Sequence, residues 1–172
     1  NGFAVLRFDF TGLGESEGDF ADTNFSGNVD DLIAASDFLS ENYQPPSLLI
    51  GHSLGGAAVI FAAANISSIK AVATIGAPSN PKHVRHLLKS GLEEIQATGE
   101  AVVHLSGRDF RIKKQFVDDL ETKSLPETVK ALRKPLLIMH SPQDDTVGIQ
   151  NAEEIYRAAH HPKSFVSLDG AD

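Results

Sequence analysis

The stretch SLLIGHSLGGAAVIFAAAN, Ser47 to Asn65, decides the fold. It opens as a short apolar strand, SLLI, and passes through Gly51-His52-Ser53-Leu54-Gly55-Gly56. It then continues as an Ala-rich segment whose small side chains suit a closely packed helix. A strand that enters a helix through so few residues needs a turn too tight for ordinary side chains, which is what the glycines allow. A serine at the apex of such a turn sits in strained backbone and projects its hydroxyl outward. The pattern G-x-S-x-G alone says little, since at average Gly and Ser usage a chain of this length matches it by chance roughly one time in twenty. Gly14-Glu15-Ser16-Glu17-Gly18 matches it too, but acidic and polar residues follow Ser16 where a helix should begin. Context therefore selects Ser53 as the candidate nucleophile and leaves Ser16 as a loop residue. The helix starting at Leu54 points its first N–H groups toward the serine, so the Leu54 N–H is a candidate oxyanion donor.

Outward from this centre the chain alternates between two periods. FAVLRFDF (3–10) reads as a strand, and TGLGESEGD as turn chemistry. From Asn24 to about Tyr43 the apolar residues Val29, Leu32, Ile33 and Leu39 recur with helical spacing, and Pro45-Pro46 ends the run. KAVATIGAP (70–78) and PLLIMHS (135–141) read as further buried strands, IQNAEEIYRAAH (149–160) as a helix, and SFVSL (164–168) as a last strand, buried through Phe165, Val166 and Leu168. Apolar strands separated by helices predict an α/β domain: a mostly parallel sheet covered by helices on both faces. Residues 79–134 break the rhythm. A helix around 81–97, a hairpin in VVHLSGRDFRI with SGRD at its turn, and two more helices are expected there, as a cap-like excursion over the carboxyl edge of the sheet or as surface decoration. The domain expected is thus a core of 1–78 and 135–172 with 79–134 inserted.

Composition narrows the function classes. The chain has 172 residues, 41% hydrophobic and 22% charged, with a net charge of −8 and no Cys. An acidic balance argues against a nucleic-acid footprint. No apolar run approaches the length of a membrane span, so no membrane partner is expected. Without Cys there is no disulfide, thiolate metal site or Cys nucleophile among these residues, which fits a cytoplasmic protein. His83 and His86 are spaced like ligands on a helix but lack Cys or carboxylate partners; no metal and no cofactor is expected.

An acid to support a serine nucleophile should follow a later strand. HSPQDDTV offers Asp144 and Asp145 there, against the usual role of a loop aspartate in turns and caps.

Three segments, FDFTGLGES (8–16), LLIGHSLGG (48–56) and MHSPQDDTVG (139–148), resemble the α/β-hydrolase superfamily across nearly the whole chain. The family's H-G-x-x-D-x-x-V pattern, laid on the third, selects Asp144 with Val147 three residues later; Ser141 stands where Gly is usual, and Asp145 becomes second choice. The first segment resembles the family's D-x-x-G-x-G-x-S loop, which accounts for the decoy at Ser16. More narrowly, the runs GFAVLRFDFTGLGESEGDFA (2–21), DDTVGIQNA (144–152) and HPKSFVSLDGAD (161–172) resemble bacterial hydrolase domains fused to an OsmC-type, peroxiredoxin-like domain. In those proteins the closing D-G-A-D is followed by His, so the resemblance implies a base just beyond Asp172. The chain's own histidines fit less well. His52 sits inside the turn, His160 and His161 at the far end of a helix, His104 in the hairpin, and His140 beside the acid loop. The family's strand order also implies that strands 1–3 are absent, leaving a gap one strand wide between residues 3–10 and 47–52. Direct pairing of those two segments would contradict it.

The function implied is serine hydrolysis of a small ester-like or other acyl substrate through Ser53, a His beyond the chain end, and Asp144, with little activity in these 172 residues alone. Alternatives are a non-catalytic binding or regulatory module beside a redox domain, or an acyltransferase using the same residues. In the excursion Leu87, Leu88, Leu92, Ile95, Phe110, Phe116 and Val117 form either an acyl pocket or that segment's own core.

Overall fold

The computed structural model describes residues 2–81, 88–105 and 107–171. Four parallel strands form the main sheet: β1 (Leu48–His52), β2 (Ala71–Ile75), β5 (Leu136–His140) and β6 (Lys163–Ser167), in the order β1-β2-β5-β6. The register aligns His52 with Ile75, Ile75 with Met139, and His140 with Ser167. All four strands therefore end on one edge, and the loops that follow them share it. This is the α/β arrangement expected, a parallel sheet with its loops gathered at the carboxyl edge.

Helix α1 (Phe25–Asn42) starts where the sequence supplies a cap: the Asn24 side chain accepts the Gly27 N–H at 2.7 Å. Its inward face carries Phe25, Asn28, Val29, Leu32 and Ser36. Helix α2 (Leu54–Asn65) lies across β1 and β2 with α1 packed against it, and its Ala57, Ala58, Ala62 and Ala63 are all fully buried. Alanine there lets the backbones approach closely and fills the space without a cavity. Lys134 donates to the Ala63 and Ile66 carbonyls at 2.7 and 3.0 Å, closing the C-terminal end of α2 as a cation should. Helix α6 (Gln150–Ala158) packs on β5 and β6, and α5 (Leu125–Leu132) stands between α2 and α6.

Between β2 and β5 run α3 (Lys89–Thr98), the antiparallel hairpin β3 (Glu100–Leu105) and β4 (Arg108–Lys113), then α4 (Lys114–Glu121) and α5. The hairpin sits where VVHLSGRDFRI places it. It is tied to the loop before α1: Arg111 pairs with Asp19 at 2.6 Å and Lys113 with Asp22. Farther along, the Asp119 carboxylate accepts both the Ser26 N–H and hydroxyl. The Ala21 N–H and the Arg111 guanidinium hold the Asp19 carboxyl below its ordinary value. A carboxyl lowered on folding stabilises the fold above its unfolded pKa and loses that contribution as pH falls through the folded one. Asp19→Asn is expected to flatten the acid limb of the stability–pH profile, read by thermal melts below the ordinary aspartate range.

Two expectations for strands need correction. Residues 3–10 form no strand. Phe3 and Val5 are 87% and 86% exposed, and β1 has a partner only on its β2 side. Strand formation needs a neighbour's ladder as well as an apolar sequence, and this segment has none here. It is not hydrogen-bonded to 48–52, and Ile50 on that open side of the sheet is exposed. β6 is likewise less buried than its apolar residues suggest. It lies at the opposite edge, and Phe165 and Val166 are both 43% exposed.

Candidate active site

The turn between β1 and α2 is built by contacts that forbid larger residues. Ser53 has φ 53° and ψ −129°, a backbone that non-glycine residues adopt only under strain, costing about 1–3 kcal/mol. Its N–H donates to the Ile75 carbonyl at 2.8 Å and its carbonyl accepts the Gly56 N–H at 2.8 Å, so the apex is held from both sides. A Cβ at Gly51 would collide with the Gly55 carbonyl, and one at Gly56 would lie 2.7 Å from the Ala77 Cβ. Gly51→Ala is expected to cost about 1–3 kcal/mol as overpacking, a drop in Tm of roughly 2–4 °C per kcal/mol in a domain this size. Helix geometry leaves the Leu54 N–H, the first of α2, without an intrahelical acceptor.

Asp144 stands on the loop after β5 with its side chain 16% exposed. Its Oδ1 accepts the Thr146 and Val147 N–H groups at 3.0 and 2.7 Å. Its Oδ2 reaches toward the end of β2, since a Cβ at Gly76 would lie 3.2 Å from it and 3.8 Å from His52 Nε2. Gly76 follows the strand whose last carbonyl holds Ser53, so the acid loop and the serine turn meet at one point of the sheet edge. Asp145 is exposed. His140 is buried and its Nε2 lies 2.6 Å from the Val147 carbonyl and 3.5 Å from Asp144 Oδ2. With a carbonyl so close, Nε2 carries the proton, and the ring braces the acid loop.

The loop after β6 joins the same edge. Leu168 N–H donates to the His140 carbonyl at 3.0 Å, and Gly170 N–H donates to Gln143 Oε1 at 3.0 Å, one residue before Asp144. Gln143 is a tie that the sequence reading missed. Gly170 has φ 73°, a turn residue. Of the other histidines, His104 pairs with Asp109 on the exposed hairpin, His160 and His161 are exposed beyond the end of α6, and His83 and His86 lie outside the described residues.

Ser53 and Leu54 open onto a cavity of about 320 Å³. Its walls are almost wholly apolar: Phe10, Leu13, Phe20, Leu88, Phe110 and Phe116, with Asn28 and His52 among the few polar residues. Phe20 stacks edge-on to Phe110 at 5.4 Å. Leu88, Phe110 and Phe116 line the cavity, Leu88 and Phe116 as members of the hydrophobic core, to which Ile95 and Val117 also belong and against which Leu92 packs; Leu87 lies outside the described residues. The apolar set is thus shared between the wall of a cavity and the packing of the core. Phe10, Leu13 and Phe20 gave no sign of lining in the sequence, because they come from loops before α1. Among the described residues no group of His, Asp and Glu is placed to hold a metal, and no helix is long and apolar enough to cross a membrane.

A strained serine between a parallel strand and a helix, an aspartate after a later strand, and the sheet order define an α/β-hydrolase. The family model described as "Serine aminopeptidase, S33" matches residues 1–120, and the chain belongs to that family. Mouse (Mus musculus) "Palmitoyl-protein thioesterase ABHD10, mitochondrial" is 27% identical over 161 residues, covering 90% of this chain and 53% of that protein. The "Uncharacterized protein YfhR" of Salmonella typhimurium is 25% identical over 178 residues, covering 98% and 54%. The chain therefore spans about half the length of the curated relatives it matches. Among solved structures, the esterase domain of a Rhodothermus marinus protein is 57% identical, with a TM-score of 0.72 over 91% of this chain and 64% of that one. Mouse alpha/beta hydrolase domain-containing protein 10 shares the fold at 23% identity, with a TM-score of 0.74 over 95% and 68%.

Proposed function

We propose that the full-length protein is a serine esterase or thioesterase that cleaves a small acyl substrate through a covalent Ser53 intermediate. The observation that carries the reading is Ser53 itself, held at φ 53° on a glycine-built turn and opening onto an apolar cavity. Strain of that kind persists where it positions a reacting group. A similar esterase domain at 57% identity and a relative named as a thioesterase both support an acyl carbonyl as the target.

Ser53 Oγ attacks the acyl carbonyl while a histidine takes its proton. The carbonyl oxygen becomes an oxyanion that accepts a hydrogen bond from Leu54 N–H and from a second donor outside this chain. Collapse expels the alcohol or thiol, which takes the proton back from the histidine. Water then attacks the acyl-enzyme by the same route, releasing the acid and restoring Ser53. Asp144 orients the histidine and stabilises its charged form. The histidine belongs on the loop after β6, beyond Asp172; the Gly170–Gln143 hydrogen bond, which brings that loop beside Asp144, supports this. The β3–β4 hairpin and α4 act as a cap, with Phe110 and Phe116 forming part of the cavity wall. The resemblance of the chain's ends to OsmC-fused hydrolases supports a further domain of that type in the full-length protein.

Mixing the full-length protein with p-nitrophenyl octanoate tests the reading. The expected result is a burst of p-nitrophenolate equal to the enzyme present, with an octanoyl group on the peptide containing Ser53. No release of p-nitrophenolate and no adduct would leave a non-catalytic binding module. A burst followed by turnover only when an added alcohol or thiol accepts the acyl group would make the protein an acyltransferase.

A further inference from the structure

Asn28 lies on the inward face of α1 with Phe25, Val29 and Leu32, is 4% exposed, and lines the cavity onto which Ser53 opens. Its side-chain amide has no hydrogen-bond partner among the described residues, although its backbone N–H continues the helix to Asn24. Among those residues, the side-chain atoms both sealed from solvent and unpartnered are Thr74 Oγ1 and His140 Nδ1. The Asn28 amide is therefore not sealed, and the space that an inward-facing residue of this kind borders is the cavity. An amide with two donors and an acceptor facing an apolar wall is costly unless something pairs with it. A helix interior also favours most other residues over Asn. Asn28 fits neither fold stability nor helix formation, and it faces the place where a substrate would lie.

We propose that Asn28 determines specificity by hydrogen-bonding one hydroxyl or ketone oxygen on an otherwise apolar acyl group. The inference rests on the reading of Ser53 as the acylated residue, because the cavity it shares with Asn28 then holds the acyl part. Pockets that pair a buried polar group with a substrate oxygen reject the analogue lacking it, since the protein group is then left unpaired. Phenyl rings and leucines around the amide accommodate the rest of the chain.

The test compares p-nitrophenyl octanoate with its oxo and hydroxy isomers on the full-length protein and on Asn28→Leu, which keeps the shape and removes the amide. The best oxygenated isomer is expected to exceed plain octanoate by about tenfold or more in kcat/KM. Asn28→Leu should abolish that preference and raise kcat/KM for plain octanoate. A wild-type protein that never prefers an oxygenated isomer overturns the proposal, whether or not the variant folds; so does a folded Asn28→Leu or Asn28→Ser that keeps the preference. Release of p-nitrophenolate from plain octanoate separates the two levels. Its absence sinks the hydrolase reading, and its presence with a flat isomer profile sinks the role of Asn28 alone.

Discussion

Ser53→Ala in the full-length protein is expected to lower kcat/KM for an acyl ester by about 10⁵–10⁶-fold, the scale on which removal of a triad nucleophile acts. Alanine keeps the Cβ, so the strained backbone and the turn should survive, with thermal stability close to that of the wild type. Ser53→Gly makes a sharper pair. Glycine adopts φ 53° without the side-chain penalty, which returns part of the roughly 1–3 kcal/mol stored there, less about 0.5–1 kcal/mol for glycine's extra freedom in the unfolded chain. The glycine variant should therefore be as inactive as the alanine variant and at least as stable as the wild type. A large loss of activity together with unchanged or improved stability distinguishes a strained nucleophile from a merely structural serine. Activity within tenfold of the wild type in either variant would remove Ser53 from the chemistry.

Asp144→Asn is expected to cost about 10³–10⁴-fold in kcat with little change in KM, as loss of the acid that orients a catalytic histidine does. The amide keeps an Oδ1 able to accept the Thr146 and Val147 N–H groups, so the loop should hold its shape. Asp144→Ala removes the acceptor that both N–H groups share and should additionally lower stability by about 1–2 kcal/mol. Asp145→Asn, at the exposed neighbour, should stay within about threefold of the wild type. Equal losses at 144 and 145 would mean that the charge of the loop matters and not the placement of one carboxylate.

Much of this architecture is legible in local sequence because local physics decides it. The serine turn follows from glycines that contacts at 51 and 56 require, the start of α1 from the Asn24 cap, and the hairpin from a polar SGRD between apolar runs. What sequence could not give depends on distant partners. Residues 3–10 have every property of a strand except a neighbour to pair with. β6 looks buried because Phe165 and Val166 are apolar, and only sheet order reveals it as an edge. The cavity draws Phe10, Phe20, Phe110 and Phe116 from segments far apart in the chain, so no window of sequence shows it. Asn28 was hidden for the same reason, since on a helical wheel it is one polar residue on an apolar face.

Labelling the full-length protein with a fluorophosphonate and locating the adduct by peptide mass spectrometry tests the central claim most directly. The reagent phosphonylates a serine only where a base activates it and an oxyanion site receives the phosphoryl oxygen. The expected result is one adduct, on the peptide containing Ser53, lost in Ser53→Ala and much slowed in Asp144→Asn. A protein that remains unlabelled, or is labelled at another serine, would contradict it.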